Sequence, residues 1–393
     1  MKFHSSVDLS SLSLQEGELL LRLEKSCVCG SDIHTYLGKR SDPAAPLVLG
    51  HEGIGTVVLS AREGVSVGVL VTWALAVPQC TSMEPRVQCE SCQTFHLPQK
   101  CSRVLKYGHA PWSRAASPGP REFAEGLSGC FASHVLLRTG TYIIPLTEAL
   151  AAGVPADALA SVNCAGGTAM ACWRTAQRHL LASTRGTMSS TTAPRRVLIF
   201  GAGLLGLYLA AAARRDCGKD GIVCVVDISK ERLHLATAFG ASHTVLFSPS
   251  DVTLDGIVAA IGAAAAPVLP SGLLFDAVFE VCGQPSVVAP GVRLMRPGGV
   301  VILAGMVHPA SDLGSLTGEA VIRKCGALVG VHNYEGEDLR EAVGLLRHAH
   351  QNFESVDTWK LLFSPAFALK DLPQAMELAS KGVWARVVLS PHS

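Results

Sequence analysis

Short apolar runs broken by glycine and proline dominate the first part of the chain. The runs read ELLLRLEK, GIGTVVLS, VGVLVTWALAV and YIIPL. Apolar runs of this length between turn-forming residues are typical of β-strands. The pattern therefore predicts an irregular, mostly β domain over residues 1–165.

From Arg195 onward the pattern changes to strand-like runs that alternate with helical segments. RRVLIFGAG, IVCVVD, HTVLF, FDAVFEVCG and GVVILAG have the length and apolar character of buried strands, whereas LLGLYLAAAARR and KERLHLATAFGA have a helical pattern. Alternating strands and helices predict an α/β fold with a doubly wound parallel sheet. We assign this second domain to residues 166–332.

The end of the chain and two irregular stretches complete the predicted organisation. The helical segment GEDLREAVGLLRHAHQNF precedes a final strand-like run, ARVVLSP, and we expect residues 333–393 to return to the first domain. Residues 182–196 and 262–272 contain Ser, Thr, Gly and Pro at the density typical of loops. Both stretches are therefore predicted to be solvated connections.

The composition narrows the range of functions. The 393 residues carry a formal net charge of +1, whereas nucleic-acid-binding domains show a clustered basic excess. No apolar run reaches the roughly 18 residues that a membrane helix needs, and the first residues lack the compact apolar segment of a secretory signal. We therefore expect a cytoplasmic protein with neither a nucleic-acid nor a membrane partner.

The strongest single motif is a glycine-rich turn. Gly201, Gly203 and Gly206 form GxGxxG between an apolar strand and a helix, and Asp227 ends the next strand. The glycines permit a tight bend, a close approach of the backbone to a pyrophosphate, and packing of the helix on the sheet. A carboxylate at Asp227 accepts hydrogen bonds from ribose hydroxyls and repels a 2′-phosphate, which favours NAD over NADP. The predicted cofactor contacts are Gly201, Gly203, Leu204, Leu205, Gly206, Asp227 and Ile228.

Three short segments, CVCGSDIH, GHEG and NCAGG, carry side chains suited to zinc. A catalytic zinc ion has three protein ligands and one open position. Cys29, His51 and Cys164 would supply these ligands, with Glu52 as a further oxygen near the metal. Each residue alone is also compatible with a structural role, and it is their combination with a dinucleotide fold that predicts a catalytic metal site.

Together these segments resemble the zinc-containing medium-chain dehydrogenase/reductase superfamily, to which alcohol and sorbitol dehydrogenases belong. The resemblance runs from about Gly17 to the C-terminus and includes VVDISKERLHLATAFGA. It implies a GroES-like catalytic domain, a Rossmann dinucleotide-binding domain and a homodimer or homotetramer. It also implies hydride transfer between a small polar alcohol, or the aldehyde or ketone in reverse, and NAD(H), with zinc as a second cofactor.

The resemblance assigns the zinc ligands more narrowly than composition does. The ligand cysteine is the one immediately before Gly-Ser-Asp, which selects Cys29 over Cys27. His51 and Cys164 are the other two ligands on this resemblance. Asp32 would hold the ring of His51 in its ligating tautomer, as carboxylates behind metal-binding histidines do.

The resemblance also implies roles for two further pairs of residues. Ser31 and His34 match a relay that carries the alcohol proton outward. Asp227 and Arg232 match the residues that contact the adenosine ribose. The expected catalytic residues are therefore Ser31, Asp32 and His34.

The segment VPQCTSMEPRVQCESCQTFHLPQKC lies where many members of this superfamily carry a structural zinc ion. Eight residues separate Cys80 from Cys89, and eight separate Cys92 from Cys101; both spacings are longer than the pattern of the superfamily. Because loop length costs little free energy, four thiolates could still close a tetrahedral zinc site over residues 80–101. The alternative is a degenerate lobe with free thiols.

Four segments, LPQKCSRVLKYGH, GLSGCFASHVLL, NCAGGTAMA and GVHNYEGEDL, are similar to one bacterial branch of the superfamily. That branch is named for an association with phosphonate catabolism, and it suggests a small alcohol with a neighbouring polar or anionic group. Arg103 and Lys106 could hold such an anion if they turn inward. From the places of the pocket residues in the family, the candidate pocket residues are Trp73, Tyr107, His109, Trp112 and Asn333. Ordinary packing in the core is the alternative for each of them.

Two other classes of protein remain as alternatives. A zinc-free, NADPH-linked enzyme of the quinone reductase type would lack the Cys-Gly-Ser-Asp and His-Glu segments and the four-cysteine lobe. A non-enzymatic NAD- and zinc-binding protein would keep the fold without using the proton relay. Metal analysis combined with NAD titration would separate the three classes.

Overall fold

The computed structural model describes Leu9 and residues 12–39, 47–80, 87–109, 126–183, 195–247, 254–265, 274–306, 311–352 and 356–393. The strands, in chain order, are β1 Leu19–Val28, β2 Glu52–Ser60, β3 Leu70–Trp73, β4 Ala76–Pro78, β5 Val104–Lys106, β6 His134–Leu137, β7 Ile143–Pro145, β8 Arg196–Phe200, β9 Ile222–Asp227, β10 His243–Leu246, β11 Phe275–Glu280, β12 Met295–Leu303, β13 Ala327–Gly330, β14 Phe367–Ala368 and β15 Val387–Ser390.

The helices, in chain order, are α1 Gly30–Tyr36, α2 Glu90–Gln93, α3 Thr147–Ala151, α4 Ala156–Ala160, α5 Gly167–Ser183, α6 Leu204–Cys217, α7 Lys230–Ala238, α8 Leu254–Ala265, α9 Val288–Leu294, α10 Gly318–Lys324, α11 Gly336–Asn352, α12 Val356–Leu362 and α13 Leu372–Ser380. Short 3₁₀ turns are Pro98–Lys100, Pro285–Val287 and Leu369–Asp371, and a single π-helical turn is Val162–Gly166. Among the described residues, no helix combines the length and the apolar character that crossing a bilayer requires.

The chain divides into two compact units. The first comprises residues 1–167, 333–347 and 359–393, and the second comprises residues 168–332 and 348–358.

A mixed sheet forms the body of the first unit, with the strand order β14-β15-β1-β2-β3-β7 and with β6 paired to β1. The long strand β1 is its centre, because its first residues pair antiparallel with β6, its last residues pair with β15, and β2 follows its other edge. Leu19, Leu21 and Leu23 in β1 are fully buried, since this strand has neighbours on both sides. The last strand of the chain therefore belongs to the same sheet as the first.

The second unit contains a six-stranded sheet with the order β10-β9-β8-β11-β12-β13. Every pairing in it is parallel, and counted within the unit the order is 3-2-1-4-5-6, that of dinucleotide-binding folds. Strands of such sheets are covered on both faces and are apolar throughout; Val197 to Phe200 are at most 1% exposed. The direction of winding reverses between β8 and β11, so a ligand crevice is expected beyond the carboxyl ends of these two strands. The predicted mostly β first part and the doubly wound parallel sheet are confirmed.

Three local features differ from the sequence-based expectation. Helix α8 continues to Ala265, into the stretch 262–272 predicted as a loop, because an alanine-rich segment has a high helix propensity. The long helix α5 and the short strand β13 were not predicted, since neither has a clear periodicity. Helix α5 extends to Ser183 and strand β8 begins at Arg196, so both ends of the predicted loop 182–196 are regular structure. Residues 184–194 and 266–272 of the two predicted loops lie outside the described residues.

Candidate active site

Four side chains predicted to surround a metal lie together in the first unit. Cys29 immediately precedes helix α1, His51 and Glu52 lie at the start of β2, and Cys164 lies in the π-helical turn Val162–Gly166. Their donor atoms all lie within 4.8 Å of one another. Cys27 is not in this cluster: its sulfur lies 3.9 Å from the carbonyl oxygen of Asp157. The structure therefore groups Cys29, and not Cys27, with the other three donors.

The carboxylate of Asp32 organises the segments on either side of the cluster. It is fully buried; Oδ2 accepts a hydrogen bond from the Cys29 amide at 2.9 Å and Oδ1 accepts one from the Gly50 amide at 3.2 Å. Oδ1 also lies 3.2 Å from Nδ1 of His51. Because Nδ1 faces this carboxylate, Nε2 of His51 faces the cluster, where it lies 3.4 Å from Oγ of Ser31.

Electrostatics in the cluster are those of a site built for positive charge. Burial lowers the pKa of His51, but the neighbouring Asp32 and Cys29 outweigh burial and raise it to about 10. The pKa of Cys29 is lowered, because Cys164 donates a hydrogen bond to its sulfur, and the same bond raises the pKa of Cys164. The cluster therefore concentrates negative charge that a bound metal cation would balance.

Glu52 is held by an arginine that no sequence motif indicates. Arg386, immediately before β15, donates to both of its carboxylate oxygens. Burial raises the pKa of Glu52 to about 7, although the guanidinium of Arg386 opposes this shift. Glu52 is therefore a member of the cluster that has an ion-pair partner of its own.

The donor set fits zinc. Two thiols and one imidazole are ligands that zinc prefers, and three such ligands leave a fourth position open to substrate. The buried Nδ1 of His51 makes no geometrically ideal hydrogen bond, yet it faces Asp32 in the arrangement that fixes a ligating imidazole. Cys29, His51 and Cys164 are the residues that would hold the ion.

The two predicted relay residues lie on helix α1. Ser31 stands in its first turn and His34 follows three residues later, so both belong to the same helix face. Ser31 is partly buried beside the cluster, whereas His34 is exposed. This arrangement leads from the cluster toward solvent, and the relay itself stays a prediction.

The four-cysteine lobe forms a second cluster. The sulfur atoms of Cys80, Cys89, Cys92 and Cys101 all lie within 4.8 Å of one another. The Ser102 amide donates to the sulfur of Cys89 at 3.4 Å, and this bond lowers the pKa of Cys89 to about 6. The positions of the sulfur atoms show that the long spacings still bring the four cysteines together. Residues 81–86, between Cys80 and Cys89, lie outside the described residues.

All thirteen cysteines of the chain are free thiols. This agrees with the interpretation of their clustering as a sign of metal binding and not of disulfide formation.

The glycine-rich turn of the second unit has the shape that a dinucleotide requires. Gly201 has a φ of 110°, and a Cβ added at Gly206 would lie 1.9 Å from the Gly201 carbonyl oxygen. A Cβ at Gly203 would meet nothing within 4 Å, which leaves open space against the backbone at the start of helix α6. Leu204 is buried and Leu205 partly buried, so their side chains serve packing and their amides are the groups available to phosphate.

Asp227 connects two loops at the carboxyl edge of the parallel sheet. Its Oδ2 accepts a hydrogen bond from the Ala202 amide at 2.6 Å and its Oδ1 accepts one from the Ser229 amide at 2.9 Å. Ionised carboxylate oxygens have further lone pairs, so both remain able to accept ribose hydroxyls. Ile228 beside it is 65% exposed, and the Arg232 amide donates to Ser229 Oγ at 3.2 Å.

Glu280, at the end of β11, also lies at the carboxyl edge of the parallel sheet, and no sequence motif indicated it. Its buried carboxylate accepts hydrogen bonds from the amides of Cys282, Gly283, Gln284 and Gly305. These amides belong to the loops after β11 and β12, so one side chain shapes both loops. A lone Glu at the end of an apolar strand was the only sequence signal.

The predicted pocket residues separate into two groups. Trp73 and Tyr107 are fully buried and pack edge to face, with ring centroids 6.4 Å apart. The Tyr107 hydroxyl hydrogen-bonds Thr141 at 2.8 Å and accepts from the Arg138 amide at 2.9 Å. The expectation that Trp73 and Tyr107 line a pocket is wrong, because both rings are core residues.

The other pocket candidates lie nearer the surface or outside the described residues. The ring of His109 lies 5.6 Å from that of His51, which is close enough to contact a ligand beside the cluster. Asn333 has a φ of 61° and its amide approaches the Gln99 carbonyl at 3.5 Å. Arg103 donates to the Cys80 carbonyl at 2.9 Å, so it supports the cysteine lobe, and Trp112 lies outside the described residues.

Comparison with known proteins identifies the family. A model described as the alcohol dehydrogenase GroES-like domain matches residues 15–148, and one described as zinc-binding dehydrogenase matches residues 205–348. The chain belongs to the zinc-containing medium-chain dehydrogenase/reductase superfamily. The two models describe a zinc-binding dehydrogenase of the alcohol dehydrogenase type, so the predicted class of enzyme is confirmed.

Individual relatives are distant but cover nearly the whole chain. A D-xylulose reductase of Scheffersomyces stipitis is 28% identical over 394 residues, covering 93% of this chain and 90% of the relative. An L-threonine 3-dehydrogenase of Vibrio vulnificus is 25% identical over 390 residues, covering 96% and 92%. The crystal structure of an alcohol dehydrogenase from Thermotoga maritima superposes with a TM-score of 0.76 at 25% identity, covering 96% of this chain and 93% of that one. None of these bears on the phosphonate-associated branch, which stays a prediction.

Proposed function

We propose that the chain oxidises a small polar alcohol with NAD, and reduces the corresponding aldehyde or ketone in reverse, at the cluster of Cys29, His51 and Cys164. The observation that carries the proposal is this cluster, with His51 oriented by the buried Asp32. The names of two relatives, D-xylulose reductase and L-threonine 3-dehydrogenase, favour substrates with several polar groups.

Zinc held by these three residues supplies Lewis-acid chemistry, which lowers the pKa of an alcohol hydroxyl. The chain itself supplies the route for the proton. Ser31, whose Oγ lies beside His51, accepts the hydroxyl proton of the substrate and releases its own hydroxyl proton toward His34. His34, exposed on the same helix, exchanges a proton with solvent. The hydride leaves the carbinol carbon for the nicotinamide ring, so one proton and one hydride account for the oxidation.

Three features of the proposal concern the rest of the molecule. The glycine-rich turn and Asp227 bind NAD in preference to NADP. The four-cysteine lobe holds a second, structural zinc ion that takes no part in the reaction, because four thiolates leave no position for substrate. The chain assembles as a homodimer or homotetramer, which light scattering would test.

Metal analysis and a substrate screen test the proposal. Purified protein should hold two zinc ions per chain, and it should reduce NAD with small polar alcohols. Catalytic efficiency on a hydroxylated phosphonate or carboxylate should exceed that on a medium-length aliphatic alcohol. A preference for the aliphatic alcohol would contradict only the proposal that the substrate is polar. Full activity of zinc-free protein would contradict the proposed mechanism.

A further inference from the structure

The ligand segment around Cys164 has an unusual backbone. Val162–Gly166 forms a single π-helical turn directly before the long helix α5. Such turns are rare and occur mostly at functional sites, because the inserted residue costs stability that local contacts must offset. Contacts of Asn163 and Tyr334 hold this turn in place.

The side chain of Asn163 connects the turn to the other metal-site segment. Asn163 is fully buried; its Nδ2 donates to the His51 carbonyl at 3.0 Å and its Oδ1 accepts from the Gly53 amide at 3.3 Å. The amide thus pairs with the backbone on both sides of Glu52, as a neighbouring strand would. Its own sequence neighbour is Cys164.

A buried tyrosine holds the backbone of the same residue. The Tyr334 hydroxyl donates to the Asn163 carbonyl and accepts from the Leu75 amide at 3.1 Å. The Tyr334 ring packs over Gly167, where an added Cβ would lie 2.7 Å from the ring. One hydrogen-bonded chain therefore runs from Leu75 through Tyr334 and Asn163 to the backbone at His51.

We propose that Asn163 is a positioning residue for the zinc site, and that Tyr334 supports it. The Asn163 amide joins the turn that carries Cys164 to the strand that carries His51, and so fixes the separation of these two ligands. An amide is needed because its two ends have opposite polarity: one faces a carbonyl and the other faces an N–H group. This inference rests on the zinc site of the proposed function.

The test uses Asn163→Asp, which keeps the shape but places an acceptor against the His51 carbonyl, and Asn163→Ala, which removes both bonds. Partners that orient metal ligands contribute about 10–100-fold in metal affinity. We expect a chelator to remove zinc from the active site of both variants faster than from wild type by about that factor. NAD affinity should not change, because the cofactor turn lies in the other unit.

Cobalt(II) replacement gives a readout that general destabilisation does not produce. The thiolate charge-transfer and ligand-field absorption of the Co²⁺-loaded variants should shift in position, and Cys29→Ala identifies the absorption that belongs to this site. Thr72→Val is the matched control: Thr72 is also buried, and its hydroxyl donates to the Gly53 carbonyl at 3.4 Å, but within the described residues it makes no hydrogen bond to the Cys164 turn. The control should keep the wild-type spectrum.

The inference would be overturned if Asn163→Asp released zinc to the chelator at the wild-type rate and its Co²⁺ spectrum were not shifted. If neither Asn163 variant folds, Tyr334→Phe is the deciding variant, because it keeps the ring over Gly167 and loses only the hydroxyl. Its Co²⁺ spectrum should shift from that of wild type. An unshifted spectrum would contradict the proposal. Wild-type protein that binds no metal through Cys29 would instead contradict the proposed function.

Discussion

Arg386 and Glu52 form a bidentate ion pair at the candidate active site. Nε of Arg386 donates to Oε2 at 2.6 Å, and Nη2 donates to Oε1 at 2.8 Å. Nη2 also lies 3.7 Å from the sulfur of Cys29. The Glu52 side chain is fully buried and that of Arg386 is 13% exposed, so the planar fork of the guanidinium balances negative charge that water cannot reach.

Removing one charge of this pair should lower the free energy of unfolding more than removing both charges. Arg386→Gln leaves a buried carboxylate without its cation, and we expect a loss of about 3–5 kcal/mol in the free energy of unfolding. The double variant Arg386→Gln/Glu52→Gln removes both charges and should recover much of that loss. Chemical denaturation of the single and double variants measures the coupling. Additive effects of the two substitutions would show that the pair is not energetically linked.

Neighbouring cysteines should behave differently at the metal cluster. Cys29→Ala removes a donor from a three-ligand site, so the protein should stay folded but lose activity and one zinc ion per chain. Cys27→Ala is the matched control, because Cys27 is buried two residues away and faces Asp157 instead of the cluster. It should keep both zinc ions. Full turnover by Cys29→Ala would mean that the ligand is wrongly assigned.

The four-cysteine lobe should affect stability and not chemistry. Cys92→Ala breaks the four-thiolate set, so we expect one zinc ion fewer per chain, a lower Tm and an unchanged chemical step in the enzyme that survives. Cys325→Ser, at an exposed cysteine of the second unit, should change none of these. Only one zinc ion per wild-type chain, after purification with zinc present, would favour the degenerate lobe.

Features that a short motif contains could be predicted from the residues themselves, whereas grouping Cys29, His51 and Cys164 as ligands of one ion also used the resemblance to a family. In GxGxxG the main constraint is local, because a side chain at Gly206 would collide with the backbone of Gly201. Cys29 and Asp32 likewise belong to a single helix start, where the Asp32 carboxylate accepts the Cys29 amide. A motif that contains both the group and its partner is readable from the sequence alone.

The features missed depend on partners far along the chain. Arg386 lies 334 positions from Glu52, and Tyr334 lies 171 positions from Asn163. The error at Tyr107 has the same origin. An aromatic residue in such a segment can either line a ligand pocket or pack in the core. The hydrogen bonds of the Tyr107 hydroxyl to Thr141 and Arg138 distinguish these two alternatives.

Cofactor choice should depend on Asp227. Its carboxylate repels a 2′-phosphate and accepts ribose hydroxyls, and hydrogen bonds to a charged group contribute about 1.5–3 kcal/mol. We expect NAD to be preferred over NADP by roughly 10–100-fold, and Asp227→Asn to narrow that ratio. Glu231→Gln, an exposed acid in the first turn of helix α7, is the control and should leave the ratio unchanged. Titration of each variant with NAD and with NADP gives the ratio of the two affinities. An unaltered ratio in Asp227→Asn would mean that other residues discriminate between the two cofactors.

The acid stability of the second unit should depend on Asp276. This carboxylate in β11 accepts hydrogen bonds from the amides of Arg195 and Arg196 and from the side chains of Arg196 and Arg296. Burial alone would raise its pKa, but the two arginine side chains outweigh burial and lower it. A carboxyl whose folded pKa lies below its unfolded value of about 3.9 stabilises the fold above that pH, and the contribution is lost as pH falls through the folded pKa.

Asp276→Asn should therefore destabilise the protein at neutral pH by about 2–3 kcal/mol. The difference from wild type should stay constant down to about pH 5. It should shrink below about pH 4, where Asp276 of the unfolded chain takes up a proton while the folded carboxylate still resists it. Asp255→Asn is the control, because its ion pair with Arg293 is exposed and such pairs contribute little. Denaturation across this pH range measures both differences. A difference for Asp276→Asn that does not change with pH would show that its effect comes from packing and not from its charge.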